Sequence, residues 1–307
     1  MDNISNHRTS ALESVLAGAG VHVRNRDDVM QKVAAIAQDG PDKLLFLSDF
    51  DQTLTRYWVN GERGFTSYKV VEKSPLMSED YREKARQLAD KYHPIEVAVD
   101  MSLEEKTQHM VKWWEGNHNL MIGERIKRSQ LKEMVANANI QFRDKCEVLF
   151  SELDSFNIPL LVFSAGLGDT LLEVFRQFSA VRPNLHVVSN RLVFDEAGVA
   201  VSHSHPFVHS YNKGKSPEQL AAVESFIVGR SNIILAGDSQ GDPKMADSLP
   251  HTHHVLKIGF LNHDVKDRLD LYMDIYDIVL SGDCDMTVVN AVVQTVLHPP
   301  PYSLVSQ

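Results

Sequence analysis

The apolar segment LLFLS at residues 44–48 is followed directly by two aspartates, Asp49 and Asp51. A short continuous apolar run of this kind predicts a strand that is buried on both faces, as in the centre of a parallel sheet. Two carboxylates at the end of a buried strand repel each other and lose their hydration, so they need a compensating positive charge. The segment therefore predicts an α/β core with a charged site at the end of one central strand.

Further strand patterns alternate with helical patterns toward the C-terminus. Residues 158–166 and 232–242 read as buried strands, and the segment GDTLLEVFRQFS between them has helical spacing. The segment RLVFDEAGVAVSH at 191–203 predicts a hairpin. Because strands that alternate with helices form a parallel sheet covered on both faces, we expect a Rossmann-like parallel-sheet core.

A long charged segment separates the first predicted strand from the others. Its pattern predicts about four helices between residues 68 and 155, and Ser102 has the sequence context of a capping box at a helix N-terminus. Residues 10–38 also read as helical, with a break at Gly18 and Gly20. The predicted organisation is an N-terminal helical extension at 1–38, an α/β catalytic core at 39–66 and 156–307, and an inserted helical cap domain at 67–155.

Polar segments end three of the predicted strands, and the ligands of open α/β sheets bind beyond the carboxyl ends of the strands. These segments are DFDQT at 49–53, FSAG at 163–166 and GDSQGD at 237–242, and SYNKGK at 210–215 adds Lys213. We expect all four to converge at one edge of the sheet, although they lie far apart in the sequence.

An oxygen-rich cluster of Asp49, Asp51 and Asp238 at that edge is untenable without a cation. Magnesium prefers hard oxygen ligands, so we expect Mg²⁺ there. It would keep Asp49 ionised, and an ionised carboxylate is a competent nucleophile toward phosphorus. Ser164, the loop amides after it and Lys213 are suited to bind the remaining phosphoryl oxygens. Asp51 is placed to protonate the leaving oxygen and later to accept a proton from water.

These motifs resemble those of phosphatases of the haloacid dehalogenase superfamily. DFDQT is similar to the D-x-D-x-T nucleophile motif, FSAG to the second motif, Lys213 to the third and GDSQGD to the acidic fourth. The resemblance implies that Asp49 is the nucleophile and Asp51 the acid/base. The phosphate-binding residues that it implies are Ser164, Ala165 and Lys213. The magnesium ligands that it implies are Asp49, Asp51 through its backbone carbonyl, Asp238, and Asp242 by way of a water molecule.

Nearly the whole chain from residue 40 onward is similar to the cytosolic 5′-nucleotidase III family of pyrimidine and 7-methylguanosine nucleotidases. That family has a Rossmann-like core with a helical cap inserted after the first motif, which agrees with the organisation predicted above. The resemblance implies a Mg²⁺-dependent 5′-nucleotidase that hydrolyses nucleoside 5′-monophosphates through an aspartyl-phosphate on Asp49. The matching strings include HMVKWWEGNHNL (109–120), FSAGLGDTLLEV (163–174), VVSNRLVFDEAG (187–198), LAGDSQGDPKMAD (235–247) and YMDIYDIVL (272–280).

The same resemblance places recognition of the base in the cap. Glu96, in the string YHPIEV, aligns with a glutamate that hydrogen-bonds the base, and Tyr68 and Trp114 align with two aromatic residues that flank it. Methylation at N7 makes guanine cationic, and a cation between aromatic faces gains about 0.5–2 kcal/mol. Asn117 stands where the family has a small residue. We therefore expect 7-methyl-GMP as a substrate, together with CMP and UMP.

Other interpretations of these residues stay open. The same scaffold serves phosphoserine and sugar phosphatases, and a silent nucleotide-binding relative would keep the fold without the activity. The phosphoenzyme could also pass its phosphate to a nucleoside, a side reaction of the family. Ser164 could simply cap the following helix, Lys213 and Glu96 could be surface charges, and Trp114 could pack in the core.

Charge and composition narrow the range of partners. The chain has 31 Lys and Arg against 41 Asp and Glu, a formal net charge of −10, which disfavours binding to nucleic acid or to an anionic membrane. No apolar run is long enough for a membrane span, and no targeting peptide is recognised. Cys146 and Cys284 are expected to be reduced thiols, and the histidines at 203–209 and 251–254 lack the spacing of a zinc site. We expect a cytoplasmic monomer that binds a small nucleotide.

Overall fold

A seven-stranded sheet forms the centre of the structure, a computed structural model that describes residues 11–98, 101–213, 221, 223–249 and 251–299. The strands are β1 (Val21–Val23), β2 (Leu44–Ser48), β3 (Trp58–Val59), β4 (Glu62–Arg63), β5 (Leu160–Leu167), β6 (Leu185–Asn190), β7 (Leu192–Phe194), β8 (Ala200–His203), β9 (Asn232–Gly237), β10 (His254–Leu261) and β11 (Ile278–Ser281). Their order in the sheet is β1-β11-β10-β9-β2-β5-β6, and β3–β4 and β7–β8 form separate hairpins. The hairpin predicted at 191–203 is therefore confirmed.

The six strands from β11 to β6 run parallel, and β1 is an antiparallel edge strand. β2 lies between β9 and β5, where Ser48 is level with Ala236 on one side and with Val162 on the other. One residue further on, Asp49 donates its backbone N–H to the carbonyl of Ala236 (3.0 Å). The carboxyl ends of β2, β5 and β9 therefore lie side by side at one edge of the sheet.

Helices cover both faces of this sheet, which is why the first four residues of β2, Leu44 to Leu47, are all apolar. The helices are α1 (residues 11–16), α2 (Arg26–Asp39), α3 (Ser67–Glu72), α4 (Glu79–Val97), α5 (Leu103–Gly123), α6 (Arg128–Ala136), α7 (Cys146–Ser155), α8 (Gly168–Gln177), α9 (Glu224–Ile227), α10 (Val265–Ile275) and α11 (Thr287–Leu297), with 3₁₀ turns at Pro41–Lys43 and Asp242–Ser248. Leu44 and Phe46 pack in one apolar cluster with residues of α2 and α11, whereas Leu45 and Leu47 pack in a second cluster with residues of α9 and α10. This arrangement confirms the predicted Rossmann-like α/β core.

The N-terminal region differs from the helical extension expected over residues 1–38, of which residues 1–10 lie outside the described part. The helix over 11–16 ends before Gly18, and Gly20 has a left-handed φ of +76° that no β-branched residue adopts easily. Val21–Val23 then pairs with the open edge of β11, because β-branched side chains favour extended backbone. The region is therefore part of the sheet and its core rather than an all-helical extension.

Helices α3 to α6 form the inserted segment that follows the first motif, and we call these four helices the cap. The capping box predicted at Ser102 is present, with the Ser102 hydroxyl and the Glu105 carboxylate each bonded to the backbone of the other residue. α7 lies inside the predicted 67–155 cap boundary but packs against α11, so it belongs with the core. Within the described ranges, no helix is both long and apolar enough to cross a bilayer.

The chain crosses between core and cap through two paired segments. Residues 53–56 leave the core and 141–143 return to it, joined by an antiparallel bridge between Thr55 and Phe142. Arg143 lies at this crossing with a fully buried side chain. Its guanidinium donates hydrogen bonds to the Thr53, Gln52 and Cys284 carbonyls, the Asn262 amide oxygen and the Asp283 carboxylate, at 2.6–2.8 Å. Every N–H of this side chain therefore has an acceptor, although it is buried.

Candidate active site

A buried ion-pair cluster occupies the sheet edge where β2 and β9 end. The Lys213 ammonium lies 2.5 Å from Oδ1 of Asp49 and 2.7 Å from Oδ1 of Asp242, and all three side chains are buried. Thr53 Oγ1 lies 3.4 Å from Asp49 Oδ2 and 3.3 Å from Asp238 Oδ1, within donating distance of both. Asp49, Asp238 and Lys213, which are far apart in the sequence, are thus brought together as predicted.

The loop after β9 is held by its own carboxylate and by two tyrosines. Oδ2 of Asp242 accepts the backbone N–H groups of Asp238 (3.0 Å) and Ser239 (2.8 Å). The hydroxyls of Tyr272, in the last turn of α10, and of Tyr276, the residue that follows α10, donate to the carbonyls of Asp238 and Ser239 at 2.5 Å each. The backbone N–H groups and the backbone carbonyls of Asp238 and Ser239 are therefore all hydrogen-bonded, which fixes this loop around the acidic cluster.

The cluster carries more negative than positive charge. Burial raises the pKa of Asp49, and Asp242 raises it further, while Lys213 lowers it. Burial also raises the pKa of Asp238 well above its ordinary value, with the charges of Asp49 and Asp242 adding to the effect. Burial alone would lower the pKa of Lys213, but Asp242 and Asp49 raise it, so the lysine stays protonated.

Three of these carboxylates can hold a metal ion. Oxygens of Asp49, Asp238 and Asp242 lie within 4.8 Å of one another, and oxygen donors suit a hard divalent cation. One ammonium cannot balance three carboxylates, so a cation would lower the energy of the site. Asp242 accepts three hydrogen bonds, from Lys213 and from the backbone N–H groups of Asp238 and Ser239, which favours a water-mediated contact with a metal. Asp49 Oδ2 and Asp238 Oδ1 are approached by the Thr53 hydroxyl alone among the described residues, so they are better placed for direct bonds.

Asp51 lies beside this cluster and is held by the first residue of the cap. Its Oδ1 accepts the Ser67 backbone N–H and its Oδ2 accepts the Ser67 hydroxyl, both at 2.7 Å. Burial raises the pKa of Asp51 to about 6, although the two bonds from Ser67 oppose the shift. Ser67 Oγ in turn accepts the backbone N–H of Leu167 (3.1 Å), so Asp51 is positioned by both the cap and β5.

Gly166 provides the space that this arrangement needs. A Cβ at residue 166 would lie 2.1 Å from Ser67 Oγ and 2.8 Å from Asp51 Oδ2. We expect Gly166→Ala to displace the Asp51 carboxylate and to reduce kcat by about 100-fold, since a misplacement near 1 Å has an effect of that order. Steady-state phosphate release measures it. Gly123→Ala is the matched control, because a Cβ at residue 123 meets nothing within 4 Å; equal activities of the two variants would contradict the prediction.

The phosphate loop predicted at Ser164 and Ala165 lies opposite the acidic cluster. Ser164 is buried, and its Oγ accepts the backbone N–H of Gly166 (3.0 Å). The carbonyl of Ala165 accepts two side-chain donors, the Trp114 indole N–H (2.9 Å) and the Asn190 amide (2.8 Å). Trp114 belongs to the cap and Asn190 ends β6, so this loop is held from both sides.

One cavity of about 250 Å³ contains both the charged cluster and residues predicted to bind the base. Its lining includes Asp49, Asp51, Ser164, Ala165, Lys213, Asp238, Glu96, Tyr68 and Trp114. The Glu96 carboxylate accepts the hydroxyl of Ser210 (2.6 Å), and the Tyr211 hydroxyl donates to the Glu96 carbonyl. Glu96 therefore faces the cavity from α4 and also joins the cap to the segment that carries Lys213.

The aromatic pair differs from the expected sandwich. The rings of Tyr68 and Trp114 are 6.2 Å apart with an interplanar angle of 88°, so they meet edge to face. Two perpendicular rings cannot both stack on one planar base, and a base in this arrangement would stack on one ring and touch the edge of the other. Asn117 lines a neighbouring cavity of about 520 Å³, which shares Tyr68 and Trp114 with the first. Asn117 therefore stands behind the aromatic pair rather than beside the charged cluster.

His118 contacts both residues of the aromatic pair. It is fully buried, its Nδ1 lies 2.8 Å from the Trp114 carbonyl, and its Nε2 lies 3.5 Å from the Tyr68 hydroxyl. Nδ1 therefore carries the hydrogen and donates, and Nε2 accepts. Burial lowers the pKa of His118 to about 4, and the nearby His203 and His205 add to the effect against the bond to Trp114.

Acid should therefore destabilise the cap through His118. The unfolded chain binds this proton near the ordinary pKa of 6.5, whereas the folded protein binds it only near pH 4. The contribution of His118 to the free energy of unfolding is fully present above pH 6.5. It is lost as the pH falls toward 4, and the total loss is about 3 kcal/mol. Urea unfolding of wild type and His118→Gln at pH 7 and pH 4.5 measures it. The wild type should lose more stability than the variant, and equal losses would exclude this role.

Several residues of the site carry no signal in the sequence. Three of them are ordinary polar residues that only the fold brings to the site. Ser67 contacts Asp51, Asn190 contacts the Ala165 carbonyl, and Ser210 contacts Glu96. Tyr272 and Tyr276 have one usable signal, their spacing of four residues, which would place them on one face of a helix that continued through both; α10 ends at Ile275. That signal does not identify the carbonyls that they reach.

An open parallel sheet has a buried carboxylate, a lysine, a serine loop and an acidic cluster at its carboxyl edge, beside an inserted helical cap. This is the arrangement that the resemblance to haloacid dehalogenase phosphatases implies. The sequence model described as pyrimidine 5′-nucleotidase (UMPH-1) matches residues 52–297. The chain belongs to the pyrimidine 5′-nucleotidase (UMPH-1) family.

Individual relatives agree with this assignment. The human 7-methylguanosine phosphate-specific 5′-nucleotidase is 40% identical over 284 residues, which span 92% of this chain and 95% of the relative. A Caenorhabditis elegans protein named putative cytosolic 5′-nucleotidase 3 is 35% identical over 277 residues, 87% of this chain and 73% of the relative. The crystal structure of cytosolic 5′-nucleotidase IIIB bound to cytidine has a TM-score of 0.86 at 31% identity, covering 92% of this chain and 95% of that one.

Proposed function

We propose that this chain is a magnesium-dependent 5′-nucleotidase that hydrolyses nucleoside 5′-monophosphates to nucleoside and phosphate. The observation that carries the proposal is the single cavity in which Asp49, Lys213 and Ser164 lie together with Glu96 and Trp114. The first three residues suit phosphoryl transfer, and the last two suit recognition of a base in the same cavity. Family membership and the relatives named above support the same activity.

The reaction that these side chains support has two steps. Asp49 attacks phosphorus to form an aspartyl-phosphate, while Asp51 gives its proton to the leaving 5′-oxygen. A pKa of about 6 leaves part of the Asp51 population protonated near neutral pH, as a general acid requires. Asp51 then takes a proton from water, which attacks the aspartyl-phosphate and releases phosphate. Lys213 and the Ser164 hydroxyl stabilise the charge on the phosphoryl oxygens in both steps.

Magnesium fits the oxygen donors of this site. Asp49 and Asp238 would hold it through their carboxylates, Asp51 through its backbone carbonyl, and Asp242 by way of water. When bound, Mg²⁺ neutralises the carboxylates and the phosphate dianion and so permits a nucleophile and substrate of like charge to approach. Asp242 has a second task in the proposal, because its bond to Lys213 orients the ammonium toward Asp49.

The base-side residues favour 7-methyl-GMP, CMP and UMP as substrates. Glu96 offers a carboxylate to an amino or imino group of the base, and Trp114 offers a ring face on which a cationic 7-methylguanine gains about 0.5–2 kcal/mol. The perpendicular Tyr68 would contact the edge of that base. A monomer in the cytoplasm, with neither nucleic acid nor membrane as a partner, completes the proposal.

A substrate panel tests the function. Purified protein with Mg²⁺ is given CMP, UMP, 7-methyl-GMP, GMP, phosphoserine and glucose 6-phosphate, and released phosphate is measured. We expect the first three to have the highest kcat/KM, and EDTA to abolish release until Mg²⁺ is restored. Preference for phosphoserine or the sugar phosphate would replace the nucleotidase by another phosphomonoesterase, and no release from any ester would indicate a silent relative.

A further inference from the structure

The carbonyl of Ala165 is the point where the cap touches the phosphate loop. It accepts the Trp114 indole N–H (2.9 Å) from α5 and the Asn190 amide (2.8 Å) from the end of β6. Trp114 is only 8% exposed, and Asn190 is fully buried. Two donors on one carbonyl fix the direction in which that carbonyl points, so the adjoining peptide group cannot turn freely.

The fixed carbonyl determines the direction of an N–H group. The Ala165 carbonyl and the Gly166 N–H belong to one planar peptide unit and point in opposite directions. That N–H donates to Ser164 Oγ (3.0 Å). A hydroxyl has one hydrogen to donate and accepts through its lone pairs, so Ser164, once it accepts from Gly166, keeps its hydrogen for another acceptor. The chain of contacts from Trp114 thus ends at the hydroxyl that faces the phosphate position.

We propose that Trp114 is a positioning residue for the phosphate loop, in addition to its place beside the base. Its indole N–H and the Asn190 amide orient the Ala165–Gly166 peptide, and this peptide directs the Ser164 hydroxyl toward a phosphoryl oxygen. Because Trp114 belongs to the cap and Ser164 to the core, the phosphate site is complete only when the cap lies against the core. The inference rests on the proposed function, since it assigns Ser164 to phosphate.

A substrate without a base separates this role from stacking. Ribose 5-phosphate reaches the phosphate loop but offers nothing for the Trp114 ring to stack on. We expect Trp114→Phe, which keeps a ring and loses the N–H, to reduce kcat/KM for ribose 5-phosphate by about tenfold, the effect of one hydrogen bond near the upper end of its usual range. The inhibition constant of inorganic phosphate should rise by a similar factor.

The matched control is Trp113→Phe. Trp113 is the preceding residue on the same helix, and within the described part of the chain its buried Nε1 has no hydrogen-bond partner. This variant removes the same indole N–H without removing a hydrogen bond, and the phenyl ring still offers an aromatic surface to Tyr92 and Trp114. Activity on ribose 5-phosphate should therefore change by less than about twofold. Benzothienylalanine at position 114, which keeps the two-ring shape and replaces the N–H by sulfur, should reproduce the loss if Trp114→Phe proves poorly folded.

A double-mutant cycle with Ser164→Ala tests whether Trp114 acts on the phosphate site through the Ser164 hydroxyl. If Trp114 acts through the Ser164 hydroxyl, Trp114→Phe should change kcat/KM by less than about twofold in the Ser164→Ala background. An equal loss in both backgrounds, or no loss with ribose 5-phosphate, would overturn the inference. Activity of the wild type on CMP is recorded in parallel, because its absence would refute the proposed function itself, whereas its presence with an unaffected Trp114→Phe would refute only the positioning role.

Discussion

Asp49→Asn should abolish phosphate release from every nucleotide, by a factor on the order of 10⁴ or more, because an amide cannot act as the nucleophile. The side chain keeps its shape, and Lys213 keeps its bond to Asp242, so the protein should remain folded. Steady-state release with CMP measures the loss, and circular dichroism checks the fold.

Acid quenching provides a second measurement for the same variant. Wild-type protein mixed with ³²P-labelled CMP should retain label on the chain, and Asp49→Asn should retain none, because the aspartyl-phosphate cannot form. Asp80→Asn is the control for loss of one negative charge, since Asp80 pairs with Lys84 on the exposed face of α4. Residual release near the wild-type rate in Asp49→Asn would show that another group attacks phosphorus.

Arg143→Met should reduce the free energy of unfolding by about 3–5 kcal/mol, the usual effect of breaking a buried, hydrogen-bonded charge pair. The substitution leaves the Asp283 carboxylate without its cation and the Thr53 and Cys284 carbonyls without their donor, whereas the Gln52 carbonyl keeps the Asn262 amide. Activity should fall as well, because Gln52 and Thr53 follow Asp49, the proposed nucleophile, within the same loop. Urea unfolding monitored by fluorescence measures the change.

The matched control for Arg143 is Arg56→Met at the same crossing. Arg56 pairs with Asp144 at the surface, where an ion pair contributes about 1 kcal/mol or less. We expect this variant to unfold within about 1 kcal/mol of the wild type and to keep its activity. Equal stability losses for the two variants would mean that the buried hydrogen-bond network around Arg143 contributes little.

The sheet and the convergence of the charged residues could be predicted because each depends on local patterns. LLFLS and its counterparts before FSAG and GDSQGD are continuous apolar runs, and their polar ends must meet if the strands are parallel. The prediction that Lys213 lies beside Asp49 depended on the order of the four motifs along the chain as well as on the pattern of apolar strands. The catalytic roles of these residues stay predictions that the experiments above address.

The features that could not be predicted depend on contacts between distant segments. Arg143 joins the first motif to residues 262 and 283–284, and nothing in its neighbourhood distinguishes it from a surface arginine. The angle between Tyr68 and Trp114 depends on the packing of α3 against the rest of the cap and on His118 beneath them. The Ala165 carbonyl is a backbone group, so no residue type marks it.

The antiparallel edge strand β1 has a practical consequence for expression of the protein. β11 lies at the end of the parallel series, and β1 covers the backbone N–H and C=O groups that would otherwise be exposed there. Truncation of the first 25 residues would leave a free, apolar strand edge, which is a template for pairing with a second molecule. A shortened chain should therefore self-associate and precipitate even though every catalytic group remains in place.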